Sequence, residues 1–138
     1  MAIYNKYQPF LANMPNKKYN LASDQLKVAL TIAAPAGTEV KLSDLTEISY
    51  TNLSGATPLN LTTTSSTQTA GTYSLILADL TLTATGAVGP FQYVTIYDSA
   101  ATNFELIGWY NYGSSVTLAA GDQFVINLDN VNGLFQIA

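Results

Sequence analysis

The sequence predicts an all-β protein, a single β-sandwich or jelly-roll-like domain over residues 23–138 with an N-terminal arm over residues 1–22. Three observations predict it. From Gln25 onward, short runs of alternating apolar and polar residues recur about ten residues apart. The gaps between these runs hold turn chemistry: Ala33-Ala34-Pro35-Ala36-Gly37, Gly86-Ala87-Val88-Gly89-Pro90, Gly121-Asp122 and Asn132-Gly133. The length, 138 residues, suits one domain with a buried core. No internal repeat is visible, which sets aside propellers and solenoids, and a β-barrel is the nearest competing architecture.

The arm comes first. Tyr4, Tyr7, Phe10, Leu11 and Met14 recur at three- to four-residue spacing, a helical stripe. Pro9 and Pro15 lack amide donors and confine any helix to a turn or two. So short a stripe does not fold alone, and the arm is expected to pack on its own domain or on a neighbouring molecule.

The β grammar then begins. Leu26, Val28, Leu30 and Ile32 alternate with Lys27, Ala29 and Thr31, which predicts a half-buried strand. Val40 to Ile48 is mixed, with Ser43 placed to cap a helical turn over Leu45 and Ile48. Thr51 to Pro58 reads as loop or edge. Thr62 to Gly71 is almost purely Thr, Ser, Gln and Ala. It predicts an exposed strand and turn, with a polar surface for a glycan or a partner as the functional alternative. Thr72 to Thr85 forms one long strand or two. Phe91 to Tyr97 and Phe104 to Tyr110 flank the turn Asp98 to Asn103. Gly113-Ser114 is expected to break the chain. Val116 to Leu118, Phe124 to Leu128 and Leu134 to Ile137 complete the strands.

Composition restricts the chemistry. The chain has no Cys, His or Arg. Disulfides and thiolate metal sites are excluded, and so is the imidazole base of a serine hydrolase. Two carboxylates suffice for a glycosidase, and Asp98 and Glu105 could meet across a hairpin, but solvated turn charges are the expected reading. Asp129-Asn130-Val131-Asn132-Gly133 has the look of a calcium loop, yet Val131 stands where a ligand is needed and no Glu follows. No catalytic residue, metal ligand or cofactor is assigned, and no enzyme is expected. The Asn52-Leu53-Ser54 and Asn60-Leu61-Thr62 acceptor patterns need a secretory pathway, and residues 1–10 do not resemble a secretory signal. A soluble protein made in a cytoplasm is expected, with no membrane partner, since no apolar run is long enough to span a bilayer.

Charge is unevenly distributed. Residues 1–41 hold all five lysines (Lys6, Lys17, Lys18, Lys27, Lys41) and two acids, a net +3; residues 42–138 hold seven acids and no lysine, a net −7. A body without positive charge repels phosphate, so no nucleic-acid partner is expected. A basic, aromatic arm suits docking on a partner surface. Tyr4, Lys6, Tyr7, Phe10, Leu11, Met14, Lys17, Lys18 and Tyr19 are the arm residues expected to make contacts with a partner or a neighbouring subunit. In Gly108-Trp109-Tyr110-Asn111-Tyr112-Gly113, alternation puts Trp109 on one face and Tyr110 and Tyr112 on the other, as core or interface aromatics.

An ordered series of segments resembles a family of small tailed-bacteriophage virion proteins. It runs from Asn20-Leu21 and Asp24 to Thr31, through Leu42 to Ile48, Gly71-Thr72-Tyr73, Gly89-Pro90-Phe91 with Tyr93, and Leu106 to Gly113, to Leu118 to Asp122 and Asn132-Gly133-Leu134. The resemblance covers about residues 18–138; Pro9, Pro15, Lys17 and Lys18 depart from the family's more helical, more acidic arm. It implies a capsid decoration (cement) protein on the virion surface, with the major capsid protein as partner and a homo-oligomer, a trimer foremost. The alternative is a tail- or fibre-associated virion protein with a receptor- or glycan-binding role.

Overall fold

The computed structural model describes residues 3–137; Met1 and Ala2 of the expected arm, and Ala138, lie outside the described residues. In chain order the elements are β1 (Tyr4–Lys6), the single-turn helix α1 (Phe10–Asn13), β2 (Leu26–Thr31), a 3-10 turn (Leu42–Asp44), β3 (Thr63–Thr69), β4 (Thr72–Leu77), β5 (Leu80–Thr83), β6 (Val88–Asp98), β7 (Leu106–Leu118), β8 (Gln123–Ile126) and β9 (Phe135–Ile137). The protein is all-β, as its alternation and turn residues predict, and sandwich-like.

The strands form three antiparallel sheets, ordered β1-β7-β6-β2, β3-β4-β9 and β5-β8. Val28, Leu30, Val94 and Ile96 of the four-stranded sheet share one core with Leu75 and Leu77 of the second sheet and Leu82 and Ile126 of the third. Each such side chain, fully buried, contributes about 1.5–3 kcal/mol.

The four-stranded sheet is buried on both faces, which alternation alone does not predict. Ala29 and Tyr97 point away from the sandwich core into a second cluster with Tyr7 and Leu106. Leu42, Leu45 and Trp109 roof that cluster. The roof is held by Asp44, whose carboxylate accepts hydrogen bonds from the Val40 and Lys41 amides at 3.0 and 3.2 Å. Asp44 rather than Ser43 therefore secures the turn. The outer edge of β2 is closed by loop backbone: Val28 donates to Leu59 O at 3.0 Å, and Leu30 O and Leu26 O accept from Ile48 and Leu61 at 3.0 and 2.9 Å.

Two turns show how local chemistry sets the ladder. Ala70 (φ +52°) and Gly71 (φ +87°) form the two-residue β3–β4 connection. Positive φ at both positions is what a hairpin of this length requires. The expected break at Gly113 is instead a bulge inside the long strand β7. Tyr93 pairs with Asn111 while Phe91 pairs with Val116, so β7 carries the extra residues. Asn111 Oδ1 accepts the Gly113 amide at 2.7 Å, which satisfies the bulge locally and lets pairing resume.

The N-terminal segment packs on its own domain, one of the two outcomes expected of it, and does so as part of the main sheet. Tyr4 pairs with Tyr110 and Lys6 with Gly108, making β1 an edge strand of the main sheet. Only Phe10–Asn13 takes the helical form that the stripe suggests, just after Pro9. Apolar side chains this large recover more free energy on their own sheet than in water, so the segment completes the core that an isolated sandwich would leave open.

Candidate partner-docking site

After α1, residues 14–24 turn back across one end of the sandwich. Lys17 takes a left-handed backbone (φ +61°), and the Lys18 amide donates to Asn13 O at 3.0 Å, which closes this turn after the helix. Asp24 Oδ2 accepts the Asn20 amide at 2.8 Å and fixes the return. Between this turn and the β6–β7 connection lies an open groove of about 870 Å³. Its walls are Met14, Lys17, Lys18, Tyr19 and Asp24 on one side and Ala100 to Thr102 on the other, with Ser66, Tyr73 and Ile137 at the end.

The residues expected to make contacts divide into three groups. Met14, Lys17, Lys18 and Tyr19 are brought together on the groove, with both lysines exposed. Lys6 and Leu11 are exposed outside it, Leu11 by 57%. The others serve the chain itself. Tyr7 is fully buried, its hydroxyl 2.8 Å from Thr95 Oγ1 and its ring 4.7 Å from that of Trp109. Phe10 is buried against Tyr19 and Phe135, at 5.2 and 5.3 Å between ring centres. Tyr4 packs edge-on against Tyr110 at 5.8 Å. Tyr7 and Phe10 thus offer no surface to a partner, a correction to their expected contact role, and Tyr110 takes the core rather than the interface place that alternation allows it: rings of this size are drawn into the nearest available core. Trp109 and Tyr112 stand on opposite faces, as alternation predicts, each half-buried, with Tyr112 against Phe124 at 5.0 Å.

Behind the groove lies a feature that the sequence does not predict. Asp98 and Glu105 are not solvated turn charges but are 0% and 2% exposed. The structure brings them opposite each other, with the Asp98 amide donating to Glu105 O at 3.1 Å. One oxygen of each takes a turn amide, Ala100 N at 2.9 Å for Asp98 and Asn103 N at 3.1 Å for Glu105. The other two, Asp98 Oδ2 and Glu105 Oε2, have no hydrogen-bond partner among the described residues. Burial, reinforced by the neighbouring Asp24 carboxyl, raises the Asp98 pKa to about 7. Tyr19 spans the same region: its hydroxyl donates to Leu106 O at 2.8 Å, and burial pushes its pKa up to about 12. Among the described residues no group of three or more acidic or other ligating side chains is arranged to hold a metal ion.

The calcium-like segment is a self-satisfied turn. Asp129 Oδ1 accepts the Val131 and Asn132 amides at 3.3 and 3.0 Å, and these bonds, with the Asn132 side chain, hold its carboxyl below the ordinary range. Among the groove residues, Ala100 to Thr102 are the ones that the sequence marks only as turn. The only local signal is the density of turn formers at Asn20 to Asp24 and Asp98 to Asn103; their meeting is tertiary.

The fold and groove define an all-β, sandwich-like protein with a basic turn beside an open depression of mixed polar and apolar lining. Among the described residues no helix is long and apolar enough to cross a membrane. Comparison of the chain with protein-family profiles, curated proteins and solved structures finds no match.

Proposed function

We propose that this chain is a capsid decoration protein of a tailed bacteriophage, binding the outer surface of the mature head through its major capsid protein and stabilising the shell. The observation that carries the reading is the ordered series of segments from Asn20 to Leu134 that resembles such proteins. The groove is consistent with it in chemical terms. Lys17 and Lys18 stand exposed on its wall beside the apolar Met14 and the ring of Tyr19. That combination suits a partner segment carrying acidic and apolar side chains, with charge aiding encounter more than affinity. Each docked copy would stabilise the expanded lattice by mass action, since it binds that form in preference to the precursor. If the oligomer is the trimer that the resemblance implies, several grooves engaging together would add avidity.

Immunogold electron microscopy of intact virions, with an antibody to this chain, tests the proposal. Gold spread over the head is expected. Gold confined to the tail would overturn it in favour of a tail- or fibre-associated protein, and unlabelled virions from an infection that expresses the chain would overturn both readings.

A further inference from the structure

The sheet edges of this protein are managed unequally. The edge of β2 is closed by Leu59 to Leu61 and Ile48, and that of β5 by Ser54, whose amide donates to Thr83 O at 2.8 Å. Strands β1 and β9 are three residues long. The outer strand of the β3-β4-β9 sheet is different. It runs seven residues, Thr63–Thr69, and among the described residues no backbone hydrogen bond joins it to anything but β4. Proteins keep such an edge from pairing with other chains by placing lysine, proline or inward-facing charge on it. Here there is none: residues 48–78 contain no charged side chain, and β3 contains no proline. Only the irregularity between Thr63 and Ser65 interrupts it, leaving Ser65 to Thr69 in unbroken register with β4.

We propose that β3 is a self-association edge, pairing antiparallel with β3 of a second copy about a two-fold axis to continue the three-stranded sheet across both molecules. The occupant is a second copy because the strand is self-complementary. A two-fold pair sets a strand against its own sequence, so a charged edge would meet like charge, whereas Thr and Ser rows form favourable cross-strand contacts. A ladder this short buries less than the ~1,000 Å² of a stable stand-alone complex, so the pairing is reversible in dilute solution and favoured where copies are crowded. It joins copies two at a time, and so is separate from any three-fold oligomer.

The absence of cysteine makes the test direct. Full-length protein with Thr67→Cys, exposed near the middle of β3, is oxidised in parallel with Thr81→Cys, exposed on β5. The expected result is a disulfide-linked dimer, seen as a doubling of mass, for Thr67→Cys and not for Thr81→Cys. Adding Thr69→Lys to Thr67→Cys is expected to lower the dimer yield several-fold at low salt, with far-UV circular dichroism unchanged. Absence of the dimer, equal yields from both cysteines, or indifference to Thr69→Lys would overturn the proposal.

Discussion

The ring of Tyr4 occupies the space that a side chain at residue 108 would need. Gly108 lies diagonally across the β1–β7 ladder from Tyr4, and a Cβ built on it would overlap the Tyr4 ring and hydroxyl. An aromatic lying over a cross-strand glycine fills the gap that the glycine leaves in the sheet face. Gly108→Ala is therefore expected to push Tyr4 off the sheet and destabilise the fold by about 1–3 kcal/mol, as overpacking does. Urea denaturation measures the loss, and weakened near-UV circular dichroism from the tyrosines would locate it.

A second expectation concerns Tyr7. Tyr7→Phe removes the hydroxyl that meets Thr95 and leaves a buried Oγ1 without its partner. The cost should be about 1–3 kcal/mol. Tyr7→Ala empties the second cluster and should cost about 3–5 kcal/mol. A detachable arm would show neither effect in the same denaturation experiment.

Asp98 sets a pH dependence whose sign is opposite to that of a salt-bridged acid. Its pKa is about 7 in the folded protein, against an unfolded value near 3.8. Between these values the folded state holds a proton that the unfolded state has released. Stability is therefore highest at the acid end of this window and falls as pH rises through about 7. Asp98→Asn should keep the acceptor for Ala100, abolish this slope and raise the melting temperature at pH above the window. Thermal melts of both proteins across the window check it; parallel profiles would refute the assignment.

Lys17→Glu with Lys18→Glu separates docking from folding. Both side chains are exposed, so stability should change by less than about 0.5 kcal/mol for each. Binding to mature heads, measured by co-sedimentation, should fall at least tenfold, and the wild-type affinity should weaken with salt. Unchanged head binding would remove the groove from the docking site.

The fold was legible where a residue's neighbours in sequence decide its structure. Alternation marks Leu26 to Thr31 and Phe91 to Tyr97 as strands, and Ala70-Gly71 and Asn132-Gly133 lie where the chain turns. Alternation fails at Ala29 and Thr95, because whether the second face of a sheet is wet depends on a roof, residues 32–48, that no local pattern announces. The same reason hides the acids. Asp98 and Glu105 sit at a hairpin end, where solvation is the rule, and it takes the approach of Tyr19 and Asp24 from the N-terminal segment and of Lys41 beside Glu105 to enclose them. Of the groove, the basic and aromatic wall was visible in composition; the opposite wall was not, since Ala100 to Thr102 carry no chemistry of their own.

The union of β1 with β7 also has a consequence for synthesis. A ribosome delivers Tyr4, Tyr7 and Phe10 more than a hundred residues before their partners Tyr110, Trp109 and Phe135. Until then Phe10 has only Tyr19 beside it, and Tyr4 and Tyr7 lack the rings they pack on. The domain cannot close vectorially, and contacts this distant in sequence slow the final step. The nascent chain is thus vulnerable to misassociation at Tyr4 to Phe10, and a chaperone that holds this segment would have the most to protect.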